Sequence, residues 1–168
     1  MKKIAVLMGS LSDRAVADRA LEVLKSYGVP HEVLVCSAHR TPGMAASFAA
    51  SARDEGFGAI ICIAGMAAHL AGAVAANTTL PVVGVPVASG GLGGMDALLA
   101  TVQMPTGIPV ATVAVGGAAN AALLCVQMLA LSDDGLAAKL RAARGKMEQD
   151  ALEANRRLKQ ELAGARDA

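Results

Sequence analysis

KIAVLMGSLSD, running from Lys3 to Asp13, is the segment whose reading decides the fold. After a single lysine its first residues are continuously apolar, and the run stops at Gly9. A short unbroken apolar run ended by glycine has the form of a parallel strand covered on both faces. The residues that follow are helix-start types. Ser12-Asp13 is therefore expected to cap a helix reaching about Tyr27, with Ala17, Leu21 and Leu24 on one side and Gly28 just past its end.

The same unit recurs outward from this segment. Glu32–Cys36 reads as a second strand, and Thr41-Pro42 starts a helix, with threonine as N-cap and proline at the first helical position, that reaches roughly Glu55 before Gly56. Ala59–Ala64 is a third strand, leading through a Gly65 turn into a helix to about Ala76. Val82–Val87 is a fourth, followed by Gly90-Gly91-Leu92-Gly93-Gly94 and a helix around Met95–Val102. Val110–Val115 and Ala119–Leu131 complete the series as strand and helix. Five such alternations predict an α/β domain over residues 1–132 with a doubly wound, five-stranded parallel sheet. No linker, second domain or internal repeat interrupts it.

From Asp134 to Leu162 the character changes. Leu136, Leu140, Ala143, Met147, Ala151, Ala154, Leu158 and Leu162 recur at helical spacing while charges fill the other faces. Such a helix is about 43 Å long at 1.5 Å per residue, as wide as the domain itself. Residues 133–168 are therefore expected to be a helical extension packing on a neighbouring subunit, rather than a solvated helix folded back on its own domain.

Composition narrows the function. Of 168 residues, 54% are hydrophobic but only 2% aromatic, so the core must come from Ala, Val, Leu, Ile and Met. Lys and Arg total 15 against 14 for Asp and Glu, and the signs are interspersed, which argues against nucleic acid or an anionic membrane as partner. Ala59–Ala76 and Pro109–Leu131 are apolar enough to resemble spanning helices, but glycines break both at mid-length and flanking Lys/Arg asymmetry is missing. They read better as buried strand, turn and helix. Met1-Lys2-Lys3 and its apolar sequel end too soon for a secretory signal. Cys36, Cys62 and Cys125 lie far apart inside apolar runs with no metal-ligand spacing, so they are expected to be reduced, buried thiols in a cytoplasmic protein.

In open α/β sheets ligands sit outside the carboxyl ends of the strands. Five segments meet at that edge: Gly9-Ser10, Ser37 to Arg40, Gly65 to His69, Ala88 to Gly94 and Gly116 to Asn120. Gly9 to Asp13 joins a strand to a helix start, where free amides, the helix dipole and two hydroxyls suit a phosphate. Ser12 alone reads as a simple cap. The loop has neither the nucleoside-triphosphate nor the dinucleotide glycine pattern. Arg40 offers a fork of donors for a phosphate, and the imidazole of His39 can serve as both acid and base. A lone histidine at a strand end reads equally well as structural; Arg40 and the Ser10 loop alongside favour chemistry. The residues before His69 have small or apolar side chains that suit a tight, dry pocket. His31 is expected to be merely exposed and Asp96 to cap the helix after it. The glycine loop reads as a lid, a source of backbone donors or a flexible turn.

Taken together, Gly9-Ser10-x-Ser12-Asp13, Ser37-Ala38-His39-Arg40-Thr41-Pro42, Ala64-Gly65-x-Ala67-Ala68-His69-Leu70, Gly84-Val85-Pro86-Val87, Val102-Gln103-Met104-Pro105 and Asn120 to Leu124 resemble the N5-carboxyaminoimidazole ribonucleotide mutase family of de novo purine biosynthesis, in its bacterial class. The resemblance covers about Lys3 to Leu131. It implies a flavodoxin-like three-layer fold, a homo-octamer with C-terminal helices between subunits, a small ribonucleotide substrate, and neither metal nor organic cofactor. It implies that Ser10, Asp13 and Arg40 bind the ribose phosphate and that His39 is the acid/base. Ser37 and the segment holding Gly65, Ala67, Ala68, His69 and Leu70 would contact the imidazole and the migrating carboxyl group. The chain departs from the family pattern at Met66, where glycine is usual, at Ala71-Gly72-Ala73, where Pro-Gly-Met is usual, and at Ala97 after Asp96. Two alternatives stay open: a carboxylase, either one using free CO2 on the same purine precursor or a related one acting on another nucleotide ring, and a non-catalytic module that binds a phosphorylated metabolite.

Overall fold

A computed structural model describes residues 1–164 of the chain. Strands β1 (Lys3–Met8), β2 (His31–Val35), β3 (Phe57–Gly65), β4 (Val82–Val87) and β5 (Ala111–Thr112) form one parallel sheet in the order β2-β1-β3-β4-β5. Helices α1 (Arg14–Tyr27), α2 (Pro42–Ser51), α3 (Leu70–Ala75), α4 (Met95–Val102) and α5 (Ala118–Ala130) follow the strands in turn, and α6 (Asp134–Gly164) comes last. This is the doubly wound architecture that the alternating apolar runs predict. Among the described residues no helix is long and apolar enough to cross a membrane.

The layers follow from strand alternation. Ala5 and Leu7 of β1, Ile60 and Cys62 of β3 and Val82 of β4 pack with Ala45 and Ala49 of α2 and with Leu70, Ala71 and Val74 of α3. A Cβ placed on Gly84 of β4 would stand 2.3 Å from Thr101 Cγ2 and 3.3 Å from Ala71 Cβ, so α4 shares that face with α3 and lies close on the sheet. Ile4, Val6, Ile61 and Ile63 point the other way and are equally buried, on the side where α1 meets β1. Gly28 ends α1 at φ 72°, its amide returning to the Leu24 and Lys25 carbonyls, which is the glycine role expected there.

Several boundaries move, each for a local reason. β5 pairs only over Ala111–Thr112 instead of the expected Val110–Val115. The Pro86 carbonyl faces β5 and accepts from Gly116 at 2.8 Å, but proline has no N–H to return, so the ladder stops. α2 ends at Ser51 rather than near Glu55, because Asp54 and Gly56 bond back three residues in tight turns. α3 begins only at Leu70, leaving 66–69 as a turn. His31 is half-buried, not exposed, with Nδ1 2.9 Å from the Val29 carbonyl. Asp96 does not cap α4: Gly94 is the N-cap at φ 88°, and Asp96 Oδ1 is buried without a partner.

Two compact units divide the chain, Met1–Leu129 and a second from Ala130 onward that carries α6. Asp133 Oδ1 accepts the Leu136 amide at 3.0 Å and starts this helix. Lys146 pairs with Asp150 at 3.0 Å, and Arg157 pairs with Glu153, one turn apart along the helix. Met147, Leu152, Leu158 and Leu162 are each more than half exposed.

Candidate active site

The chain leaves β1 outward to β2 and returns across β1 to β3, so crossovers diverge at the carboxyl ends of β1 and β3. Such a switch point leaves a crevice. A cleft of about 380 Å3 occupies it, lined by residues from the β1, β2, β3 and β4 ends, among them Ser10, Asp13, Ser37, His39, Arg40 and His69.

The first wall is the β1 loop. Gly9 donates its amide to the Ile63 carbonyl at 2.9 Å, holding the loop against β3. Ser10, not Ser12, is the cap: its Oγ accepts the Ser12 amide at 3.3 Å, while Asp13 Oδ2 accepts the Ser10 amide at 3.1 Å. This reciprocal box closes a short 3-10 turn, Leu11–Asp13, ahead of α1. Ser12 is thereby freed to line the cleft. Asp13 is only 8% exposed, and burial pushes its carboxyl above the usual carboxylate range, against the Ser10 amide and the positive Arg40.

The second wall is the β2 loop. Thr41 heads α2 as expected, but its hydroxyl caps nothing: Oγ1 accepts the Ser37 amide and donates to the Ser37 carbonyl, both at 3.0 Å. That ring fixes the backbone on which His39 and Arg40 stand. Arg40 Nη2 donates to the Gly9 carbonyl at 2.8 Å and its Nε to Ser37 Oγ at 3.4 Å, so the guanidinium ties the two loops together. Its remaining N–H groups stay available to an anion.

The third wall is the turn after β3. His39 Nε2 lies 2.9 Å from His69 Nδ1, with the rings nearly perpendicular at 76° and their centroids 5.0 Å apart. Gly65 admits the β4 end so closely that a Cβ on it would lie 2.1 Å from Ser89 Oγ. Met66 follows at φ 54°, the single non-glycine residue at positive φ among those described. For a side chain with a Cβ that conformation costs about 1–2 kcal/mol.

The structure thus gathers Ser10, Asp13, Ser37, His39, Arg40, Gly65, Ala67, His69 and Leu70 around one cleft. Ala68 does not join them: it is buried beneath the turn, its carbonyl 3.5 Å from the Thr101 hydroxyl. Ser89 is a cleft residue that sequence reading did not single out, although it lies in the Ala88 to Gly94 segment expected at this edge; its only signal was a hydroxyl placed just past the β4 run. All three cysteines are free and buried, and burial pushes the Cys125 thiol up to about 12, so none supplies a thiolate. No group of three or more His, Cys, Asp and Glu among the described residues is arranged to hold a metal ion. A larger groove of about 960 Å3 opens at the amino ends of β4 and β5, lined by Arg53, Asn77, Thr79 and Ile108. It has no histidine and sits on the wrong edge of the sheet for a ligand of this fold.

The chain is similar in sequence and fold to known proteins. The N5-carboxyaminoimidazole ribonucleotide mutase of Aquifex aeolicus is 53% identical over 82% of this chain and 82% of its own length. The enzyme of that name from Bacillus subtilis is 48% identical over 92% of this chain and 97% of its own. The crystal structure of Treponema denticola PurE superposes with a TM-score of 0.80 at 28% identity, covering 89% of this chain and 94% of that one. The family model described as AIR carboxylase matches residues 3–150. The family-model match and these identities over most of the chain agree: the chain belongs to the AIR carboxylase family.

Proposed function

We propose that this chain converts N5-carboxyaminoimidazole ribonucleotide to 4-carboxy-5-aminoimidazole ribonucleotide by releasing and recapturing CO2 within the cleft, with His39 as the single acid and base. The observation that carries this reading is the His39–His69 pair at 2.9 Å, set in the same cleft as the Ser10 loop and Arg40.

The anchor comes first. The Ser10 hydroxyl and the spare N–H groups of Arg40 hold the phosphate, because the Gly9, Ser10, Ser12 and Asp13 amides are already engaged within the protein. Asp13 is an acceptor when ionised, so beside a phosphate its natural partner is a ribose hydroxyl. Ser37 and the turn that follows β3 hold the imidazole ring. With the ring fixed, protonated His39 gives its proton to the carbamate nitrogen. The N–C bond breaks, its electron pair stays on nitrogen, and CO2 is released. The amine lone pair then drives C4 onto the CO2 carbon, and neutral His39 removes the C4 proton. One proton is lent and one returned.

The histidine pair matches that count. A nitrogen–nitrogen hydrogen bond needs one lone pair, so two protonated imidazoles cannot keep this contact. The pair therefore carries at most one extra proton, as a single-proton shuttle requires. Holding the ring, CO2 and base together replaces diffusion by geometry.

We also place the chain in the cytoplasm, where three free thiols are at home, and assign it a homo-octamer in which the exposed apolar stripe of α6 packs on neighbouring subunits. Carboxyl-transfer assays on the wild type and His39→Asn test the chemistry. The wild type is expected to turn over the carbamate nucleotide, and His39→Asn to bind it while turning it over at least about a hundredfold more slowly. Turnover confined to the decarboxylated nucleotide plus bicarbonate would assign a CO2-using carboxylase instead. Binding without turnover by the wild type would reduce the protein to a binding module, and unchanged turnover by His39→Asn would remove His39 from the chemistry.

A further inference from the structure

Met66 stands in the cleft in a conformation that costs energy and serves no core. Its φ is 54°, the residue is 60% exposed, and it lines the cleft between Gly65 and Ala67. A glycine at this position would adopt the same backbone without strain. The side chain buries little against its own subunit, so packing does not explain the choice.

The other cleft residues sharpen the contrast. They are small, polar or charged, apart from Leu70, which is itself buried to 2% exposure. Met66 is thus the one long apolar residue exposed at the cleft. A thioether on an unbranched stem adapts to irregular shapes. It is also a poor acceptor and a poor nucleophile toward CO2, unlike an amine or hydroxyl. Those properties suit a group lying against CO2 while water is kept away.

We infer that Met66 is the closing wall of the reaction cleft: with substrate bound, its side chain folds over the migrating carboxyl group and sets the fraction of CO2 that returns to C4 rather than escaping. This rests on the mutase reading above. It adds a determinant of fidelity at a position where the backbone alone would be better served by glycine.

Isotope retention tests it. The carbamate carboxyl is labelled with carbon-13, unlabelled bicarbonate is present in excess with carbonic anhydrase to mix the pool, and label in the carboxylated product is read by mass spectrometry. The wild type is expected to keep most of its label. Met66→Gly is expected to lose several-fold more, while its thermal midpoint stays level or rises as strain is relieved. Met66→Leu, which restores apolar reach, is expected to recover most of the retention. Retention by Met66→Gly equal to the wild type overturns the inference, and so does label loss by Met66→Leu as great as by Met66→Gly. A wild type that makes no carboxylated product overturns the mutase reading and this inference together, whereas the first two results leave that reading intact.

Discussion

Gly65 closes β3 directly beside Ser89, which makes Gly65→Ala a perturbation of calculable size. The added methyl would lie 2.1 Å from Ser89 Oγ, 3.2 Å from Ser89 Cβ and 3.2 Å from the Val87 carbonyl oxygen. The hydroxyl must retreat by about 1 Å before ordinary van der Waals separation returns. Rotating the Ser89 side chain moves Oγ away, but its Cβ and the β4 backbone must still yield by a few tenths of an ångström. Overpacking of this kind costs about 1–3 kcal/mol. Loss of glycine's freedom in the unfolded chain offsets about 0.4–1 kcal/mol, so the variant is expected to fold with a lowered urea midpoint. Catalysis is expected to suffer more than stability, because a 1 Å misplacement around a reacting group can cost roughly 100-fold in rate. Steady-state carboxyl transfer and urea unfolding, measured on the same preparations, separate the two effects. Adding Ser89→Gly removes the Oγ and Cβ contacts but not the one to the Val87 carbonyl, and is expected to recover part of the midpoint while kcat/KM stays low, since the hydroxyl is now absent from the cleft. A Gly65→Ala protein with wild-type midpoint and wild-type kcat/KM would show that β3 and β4 do not approach as described.

The remaining predictions concern the anchor, the base and the assembly. His39→Asn is expected to lower kcat by about 10²- to 10⁴-fold, the usual worth of a positioned acid/base, with substrate affinity by calorimetry largely kept. Arg40→Ala removes a charged donor worth about 1.5–3 kcal/mol and unties the β1 and β2 loops, so KM is expected to rise at least tenfold; an unchanged KM would remove Arg40 from the anchor. Because burial raises the Asp13 pKa above 3.8, the native state holds this proton more tightly than the unfolded chain does. That contribution is full below pH 3.8 and lost as pH rises through the native value. The stability of Asp13→Asn relative to wild type is therefore expected to increase from pH 4 to pH 7 in urea titrations, and the opposite slope would refute the burial argument. Met147→Glu with Leu158→Glu places charges on the exposed stripe of α6 and is expected to lower the particle mass in sedimentation; an unchanged mass would clear α6 of any part in assembly.

Much of the fold was legible along the chain, because a buried parallel strand announces itself as an unbroken apolar run and a glycine marks where it must turn. The β1, β3 and β4 runs, the Gly28 cap and the Thr41-Pro42 helix start are all of this kind. The exceptions arose where a neighbouring strand or loop decides the outcome. β5 reads as a longer strand on its own residues and is cut short by a proline one strand away. Asp96 has the chemistry of a cap, but the glycines before it start the helix earlier.

The candidate site divides along the same line. Sequence by itself determined which polar residues stand at the carboxyl edge of the sheet, because strand ends and helix starts are local patterns. Only the tertiary structure decided which of them meet. His39 and His69 are 30 positions apart, and Arg40 reaches 31 positions back to Gly9, across crossovers whose lengths and packing no local pattern encodes. Ser89 entered the cleft for the same reason, through a close approach that the missing Cβ of Gly65 allows. Composition along the chain sets what each element can be; the order of strands in the sheet sets which side chains share a cleft.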